Sequence, residues 1–163
     1  MKILGIDPSN TRHAWAAYDS DAHAVTAHGR DLCNEWEWAC VPFESLDRIV
    51  IEMVASYGMA AGATLFDTCV EIGRLLDHLQ PFHKNTRRVT RQQVKLAICG
   101  QARAKDANVR QALLDLWGGK EATKKGGPLH GIAADTWAAL AVAVAATRPG
   151  LEYYIPAAER GAK

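Results

Sequence analysis

Short apolar runs and helix-spaced apolar positions follow one another along this chain and predict five strands and four helices. Residues 3–6 are apolar, too few for a helix, and followed by Asp7 and Pro8, so they predict a buried central strand. Residues 48–54, RIVIEMV, repeat this pattern with Glu52 as the polar exception. We expect these two strands to be neighbours within one sheet.

The stretches around these two runs predict the remaining strands. Residues 11–18 and 22–29 alternate loosely between apolar and polar side chains, and Ser20 and Asp21 between them favour a hairpin turn. The chain is therefore predicted to open with an antiparallel meander. Residues 86–89 predict a further short strand.

Helical apolar spacing recurs in four later stretches. These predicted helices cover residues 63–79, 91–99, 107–117 and about 131–147. Thr90 and Asp106 are predicted to cap the second and third of them. The predicted loops are residues 56–62, residues 100–105 and a flexible basic segment at 120–128. Segment 31–43, with Trp36 and Trp38, fits no element by its pattern. The order of elements predicts an α/β fold in which helices flank a mixed central sheet.

The length of 163 residues is typical of one domain, which we expect to span residues 1–150. Residues 151–163 form a C-terminal tail that we expect to be frayed from Glu152 onward. A net charge of +1 and a hydrophobic share of 48% are typical of globular proteins, and no stretch has the length and apolarity to cross a bilayer. The chain begins directly with a strand, so no signal peptide is expected. Its four cysteines lack CxxC spacing, which argues against zinc sites and disulfides and favours reduced thiols in a cytosol.

Asp7 and Glu52 each introduce a carboxylate into an otherwise apolar strand. A buried carboxylate is costly unless a cation meets it. Each has a simpler explanation on its own, because Asp7 can cap the following turn and Glu52 can lie at a solvated strand end. Considered together they favour a shared cation, because neighbouring parallel strands lie only about 4.8 Å apart.

Asp135 is a third candidate acid, within the alanine-rich segment HGIAADTWAALAVAVAA. Its simplest role is in the first turn of the last helix, where a carboxylate interacts favourably with the helix dipole. The alternative is a third metal ligand that meets Asp7 and Glu52.

Positive charge is concentrated between Lys84 and Arg110. Eight basic residues lie in this segment together with one acid, Asp106, so its net charge is +7. Such a one-sign segment is typical of a surface that binds a polyanion. A solvated helix face is the alternative, although such faces usually mix charges of both signs.

Four motifs in order resemble RuvC-type Holliday-junction resolvases, in particular a divergent, phage-borne branch. They are GIDPSNTRHAWAAYD, IVIEMVASYGM, TRQQVKLAICGQARAKDANVRQAL and AADTWAALAVAVA. The resemblance covers roughly residues 1–146. It implies an RNase H-like fold, a homodimer, and cleavage of four-way DNA junctions with Mg²⁺ or Mn²⁺, in the cytoplasm of a bacterium or a phage-infected cell.

The resemblance also implies roles for individual residues. Asp7, Glu52 and Asp135 match the family's metal-binding acids, and three acids can hold two divalent ions about 4 Å apart. Lys105 resembles a lysine that stabilises the scissile phosphate, but a one-residue offset makes Asp106 a competitor for that position. The basic segment is expected to bind the DNA backbone. Its predicted DNA contacts are Arg87, Arg88, Arg91, Lys95, Arg103, Lys105 and Arg110.

The sequence departs from the family pattern at Ile132. The usual resolvase has an acid or a histidine at this position, three residues before the last aspartate, whereas isoleucine cannot bind metal. Pro128 and Gly131 suggest that the last helix begins just after His130. His130 is then free to turn inward and assist cleavage through a metal-bound water or a phosphate, or it is simply an exposed loop residue.

Two other functions fit the same residues. One is an RNase H-like nuclease that acts on RNA–DNA hybrids or branched replication intermediates, because the same acids serve that chemistry. The other is a junction-binding protein without catalytic activity. A sugar-kinase or actin-like ATPase shares a GIDP-like opening but needs a second phosphate loop and a longer chain.

Overall fold

The computed structural model describes residues 1–33, 41, 43–55, 58, 60 and 62–155, except for the side chains of Leu32 and His83. Trp36 and Trp38, most of the predicted loop at 56–62 and the end of the tail lie outside the described residues. No helix in the described part of the chain has the length and apolarity needed to cross a membrane.

The described residues form five strands, four α-helices and three short 3₁₀ helices. The strands are β1 (Lys2–Asp7), β2 (Arg12–Asp19), β3 (Ala24–Leu32), β4 (Arg48–Met53) and β5 (Thr86–Thr90). The helices are α1 (Ala63–His78), α2 (Arg91–Cys99), α3 (Asp106–Leu116) and α4 (Thr136–Ala145). The 3₁₀ helices are Phe43–Ser45, Gln80–Asn85 and Lys120–Thr123.

The strands form one mixed sheet in the order β3-β2-β1-β4-β5. The pairs β1–β2 and β2–β3 are antiparallel, which confirms the predicted meander. The pairs β1–β4 and β4–β5 are parallel. Ile6 pairs with Ile51, so the next residues, Asp7 and Glu52, lie at the same level of the sheet. The prediction that the two apolar strands are parallel neighbours is therefore confirmed.

Helices cover both faces of the sheet. Helix α4 lies against β1 and β2 with α2 and α3 beside it, and all ten of its residues are buried, which explains its alanine-rich sequence. The opposite face packs against α1 through Leu75, with Leu79 just beyond the helix. A mixed sheet flanked by helices is the α/β architecture that the sequence predicts.

The last helix begins later than predicted, at Thr136 rather than near residue 131. Gly131 and Ala134 have φ angles of 85° and 45°, and a right-handed helix cannot pass through such residues. Leu129 and Ile132 are nevertheless buried in the core and anchor this connection. The prediction that the helix starts just after His130 is wrong for this reason.

Three further boundaries differ from the predictions. Strand β3 begins at Ala24, because the turn before it includes His23 with a φ of 51°. The predicted basic loop contains the 3₁₀ helix Lys120–Thr123, whose Ala122 is buried. Helix α3 has Lys105 at its N-cap position, so Asp106 is its first helical residue rather than its cap.

The first residues of the tail contact the domain. The Tyr154 backbone N–H donates to the Arg88 carbonyl at 2.6 Å, and an Arg48 guanidinium nitrogen donates to the Tyr153 hydroxyl at 2.6 Å. The expectation of a frayed tail is therefore wrong for these tyrosines. Because β5 is an edge strand of the sheet, their contacts cover part of an otherwise unpaired edge. The division of the chain at residue 150 stays a prediction.

Candidate active site

Asp7 and Glu52 lie side by side at the C-terminal ends of the central strands β1 and β4. Ile6 and Ile51 point to the α1 face, so Asp7 and Glu52, one residue later on paired strands, point to the α4 face. The Glu52 side chain is only 12% exposed. The two carboxylates therefore share a mostly desolvated position next to α4.

Asp135 is brought to the same place by the close approach of α4 to β1. Gly5 lies directly against the backbone of Ala139 and Ala143, which no larger residue would permit. Asp135 lies about one helical turn before Ala139, and Asp7 lies two residues after Gly5 on the strand. The contact between Gly5 and Ala139 therefore brings Asp135 and Asp7 to the same pocket. Its side chain does not cap α4; it is 59% exposed and pairs with Arg30 at 2.8 Å. Both Asp7 and Asp135 line the same pocket.

Asp106 is a further carboxylate at this pocket, which the sequence suggested as a helix cap and as a competitor of Lys105. Lys105 is exposed and lines a separate depression with Arg103 between α2 and α3. Asp106, one residue later, lines the pocket that contains Asp7. Lys105 is the extended N-cap residue and Asp106 is the first residue of the helix, and of these two neighbours only Asp106 lines the pocket of the acids.

Arg91 and Lys95 from α2 form ion pairs with these acids. Arg91 reaches Glu52 at 3.0 Å and Asp106 at 3.3 Å, and Lys95 reaches Asp106 at 3.0 Å. Their side chains are 29% and 18% exposed. The sequence predicts both as contacts to the DNA backbone; the structure places them among the acids. The cations that contact Glu52 and Asp106 are thus Arg91 and Lys95, and not Lys105.

The crowding of carboxylates changes their proton affinities. Burial, together with the neighbouring charge of Glu52, raises the pKa of Asp7 to about 7, although Arg91 opposes this effect. Burial also raises the pKa of Glu52, against the lowering effect of Arg91. Burial would raise the pKa of Asp106 too, but the hydrogen bond from Lys95 and the charge of Arg91 outweigh it, so that pKa is lowered. Asp7 is thus the acid with the least compensated charge.

Asp7→Asn is expected to stabilise the metal-free protein as the pH rises. The pKa of Asp7 is about 7 in the folded protein and about 3.9 in an unfolded chain, so the folded state binds the proton more tightly. Stability is lost as the pH rises through this interval, by on the order of 3 kcal/mol. The neutral amide of the variant does not carry this cost.

Urea unfolding in a chelator at about pH 5 and about pH 8 measures this effect. The stability advantage of Asp7→Asn should widen between the two pH values. Asp77→Asn, which changes an exposed carboxylate on α1, is the matched control and should show no such widening. An equal difference at both pH values would contradict the raised pKa of Asp7.

The pocket next to these acids has a volume of about 900 Å³. Its walls come from α3, α4 and the connection before α4, and Ile132 forms part of its apolar lining. Arg110 and Lys120 are exposed side chains at this pocket. The Arg110 guanidinium lies 5.0 Å from the centre of the Trp137 ring, which fixes its direction. The pocket therefore combines carboxylates with cationic side chains.

The other predicted site residues lie elsewhere. Arg87 is exposed on β5 and donates to two backbone carbonyls, and Arg88 lines a groove with Tyr153 of the tail. His130 is exposed and lines a shallow depression with His28, whose ring contacts the His130 carbonyl at 3.3 Å. The segment with net charge +7 is thus divided among several places and does not form one continuous face.

Arg30 is a site residue that sequence reasoning missed. It reaches Asp135 from β3 across 105 positions of the chain. No local pattern marks it, because the pair exists only once the sheet and α4 are packed together. Asp106 did carry a signal, since it is the sole acid within the basic segment.

The donor set of the pocket fits hard divalent cations. Asp7, Glu52, Asp106 and Asp135 offer only oxygen ligands, which favour Mg²⁺ or Mn²⁺ over softer metals. Burial, and after it the neighbouring charge of Glu52, raises the pKa of Asp7, and a dication at this position would favour the ionised carboxylate. Two arginines already offset part of the negative charge of the site, Arg91 at Glu52 and Arg30 at Asp135.

Solved structures with the same fold include RuvC of Thermus thermophilus, at a TM-score of 0.65 and 17% sequence identity over 89% of this chain and 92% of that one. A second is T. thermophilus RuvC in complex with a Holliday junction substrate, at a TM-score of 0.63 and 16% identity over the same shares. A Fowlpox virus resolvase in complex with Holliday junction DNA aligns at a TM-score of 0.41 and 12% sequence identity, over 90% of this chain and 96% of that one. No protein-family model and no curated protein matches the sequence. The fold is therefore the RNase H-like fold of RuvC.

Proposed function

We propose that this chain is a divalent-metal-dependent endonuclease that resolves four-way DNA junctions by paired nicks. The observation that carries the proposal is that Asp7, Asp106 and Asp135 line one pocket together with cationic side chains, with Glu52 paired to Arg91 of the same pocket, on the fold of RuvC. One of the similar structures is a RuvC bound to a Holliday junction substrate, which supports a branched DNA substrate.

Asp7, Glu52 and Asp135 are the residues that would hold Mg²⁺ or Mn²⁺, with two ions for each site. Bound there, the ions would activate the attacking water and stabilise the leaving oxygen of the scissile phosphodiester. Asp7 has no ion-pair partner among the described residues and is mostly desolvated, so it is the acid with most to gain from a cation. Glu52 and Asp135 would exchange their arginine contacts for metal contacts.

Arg91 then has a second task. It would hold Glu52 and Asp106 in place before the metal binds, and it lines the pocket that is proposed to receive the phosphate. Lys95 keeps Asp106 ionised by a direct contact. Both cations are largely buried, so a phosphate next to them would be stabilised more than one at the exposed surface.

The rim of the pocket is the proposed binding surface for the phosphate backbone. Replacing both Arg110 and Lys120 by glutamine should weaken junction binding and reduce its salt dependence. Two lost phosphate contacts lower the slope of log affinity against log salt by about 1.8. Lys2→Gln is the matched control, because Lys2 is exposed at the opposite end of β1 from Asp7.

Filter binding or fluorescence anisotropy over a series of salt concentrations, in a chelator to prevent cleavage, measures these slopes. An unchanged slope in the double variant would show that the DNA backbone does not cross this rim. Arg87→Gln in the same series tests whether the edge strand β5 adds a contact, as the sequence predicts.

The proposed activity is tested with a synthetic four-way junction labelled on each strand in turn. Symmetrical nicks in two opposing strands with Mg²⁺ or Mn²⁺, but none in a chelator, are the expected result. Matched duplex, replication-fork and RNA–DNA hybrid substrates separate a junction resolvase from other nucleases of this fold. Binding without cleavage under every metal condition would indicate a junction-binding protein that lacks catalysis.

Paired nicks also require two active sites. We therefore propose a homodimer, since a two-fold assembly matches the two equivalent strands of a junction. A monomeric mass in light scattering, with and without junction DNA, would contradict it.

A contribution of His130 to cleavage stays a prediction, and its test is the single-turnover rate of His130→Ala. The expected loss is about 10²-fold, and a wild-type rate would exclude that role.

A further inference from the structure

A cluster of potential metal ligands lies on the other face of the sheet, away from the acids. His13 is near the start of β2, Cys33 directly follows β3, and Glu71 is in α1. The pairing of β2 with β3 brings the first two together, since His13 pairs with Asp31 and the Cys33 N–H donates to the Thr11 carbonyl. Glu71 of α1 lies beside these two side chains and adds the carboxylate.

The three side chains converge on one point. A donor atom of each lies within 4.8 Å of a donor atom of the other two, and Cys33 Sγ is 3.9 Å from His13 Nδ1. His13 is 1% exposed and Glu71 is 9% exposed. In the described part of the chain this is the one group of three or more such residues at this spacing.

One carboxylate oxygen of Glu71 is buried without a hydrogen-bond donor among the described residues. Its Oε1 accepts from Arg74 at 2.8 Å, but its Oε2 is buried and accepts no hydrogen bond from the described residues. A buried carboxylate oxygen without a donor or cation is costly. Because Cys33 and His13 lie close to this carboxylate, a cation between the three groups would satisfy the oxygen.

We propose that His13, Cys33 and Glu71 bind one Zn²⁺ ion in a site separate from the catalytic acids. Imidazole nitrogen, thiolate sulfur and carboxylate oxygen are the ligand types of zinc, whereas Mg²⁺ and Mn²⁺ prefer oxygen alone. A thiolate and a carboxylate together neutralise the dication, which a buried site requires. The cysteine spacing of the sequence predicts no zinc site, because these ligands come from three separate elements.

The distances allow this site after small adjustments. With bonds of about 2.3 Å to sulfur and about 2.0–2.2 Å to nitrogen and oxygen, tetrahedral ligands lie about 3.3–3.7 Å apart. Cys33 and His13 are already close to this separation. Arg74, on the other oxygen of Glu71, would orient the ligating carboxylate. Three protein ligands leave one position for water or another donor.

The site would also control the segment that follows Asp7. The Ser9 N–H contacts His13 Nδ1 at 3.4 Å, and Cys33 Sγ donates to the Ser9 carbonyl at 3.2 Å. Binding of zinc through Cys33 Sγ and His13 Nδ1 would replace both contacts, because a thiolate has no proton to donate and the Nδ1 lone pair would bind the metal. The proposal does not depend on the proposed nuclease activity, since no catalytic acid takes part in it.

The test is the zinc content of the full-length protein after loading with Zn²⁺ in excess Mg²⁺ and removal of free metal. About one zinc per chain is expected, and Co²⁺ in its place should give the charge-transfer absorption of a cobalt–thiolate bond. Cys33→Ser and Glu71→Gln should each weaken zinc binding by at least about 10²-fold, since losing even an outer partner costs about 10–100-fold. Cys69→Ser, at an exposed cysteine on α1, is the matched control and should keep the zinc.

Asp7→Asn separates this site from the catalytic acids and should also retain the zinc. Zinc should protect Cys33, but not Cys69, from alkylation in the wild-type protein, a measurement that needs no variant to fold. The proposal is overturned if the wild type retains no zinc, if Cys33→Ser retains as much as the wild type, if Asp7→Asn loses it, or if zinc leaves Cys33 open to alkylation.

Discussion

Replacing Asp7, Glu52 or Asp135 by the corresponding amide should reduce cleavage of a four-way junction by at least about 10³-fold. Each change removes one negative oxygen ligand from a pocket whose proposed chemistry depends on divalent cations. Junction binding should change little, because the side chains proposed to hold the DNA backbone, Arg110 and Lys120, are untouched. The measurement is single-turnover cleavage of a labelled junction, with binding assayed separately in a chelator.

Two controls make this result interpretable. Asp77→Asn removes an exposed carboxylate of α1 and should cut at the wild-type rate. The unfolding experiment on Asp7→Asn shows whether the inactive variant is folded, and we expect it to be more stable than wild type at neutral pH without metal. Near-normal cleavage by any one of the three amide variants would remove that residue from the active site.

Gly5→Ala should destabilise the protein by at least about 3 kcal/mol, the upper end for overpacking a core. A methyl group at this position would collide with the Ala139 carbonyl and lie 2.9 Å from the Ala143 Cβ. Neither the central strand β1 nor the fully buried α4 can move without opening the core. Because α4 also positions Asp135, any folded fraction should cleave poorly.

Gly73→Ala is the matched control for this substitution. Gly73 is an exposed residue within α1, and a Cβ there would meet no atom within 4 Å. The change should therefore stabilise the protein by about 0.5–1 kcal/mol through the higher helix propensity of alanine. Equal urea midpoints for Gly5→Ala and wild type would contradict the close packing of α4 on β1.

The sequence predicted the elements whose signals are local. The apolar run before Asp7, the matching run around Glu52 and the capping residue Thr90 each depend on a few neighbouring residues, and the structure confirms all three. The structure also shows the two strands as parallel neighbours, so the reasoning that brought Asp7 and Glu52 together was sound. A buried strand can be recognised in the sequence because polar residues such as Asp7 and Glu52 are rare within its apolar run.

Features that depend on where a helix begins or on an unusual backbone conformation could not be predicted from the sequence. The offset between Lys105 and Asp106 could not be settled from the motif, because it depends on the residue at which helix α3 begins. The late start of α4 follows from the positive φ of Ala134, a residue type that gives no warning of that conformation.

By itself, the sequence determined the α/β order of elements and the candidate acids Asp7, Glu52 and Asp135. Only the tertiary structure decided what surrounds them: Arg91 between Glu52 and Asp106, and Arg30 on Asp135. The same holds for the cluster of His13, Cys33 and Glu71, whose members come from separate elements. The physical reason is that ion pairs and ligand sets join residues distant in the chain, whereas hydrophobic periodicity reports only which face of one element is buried.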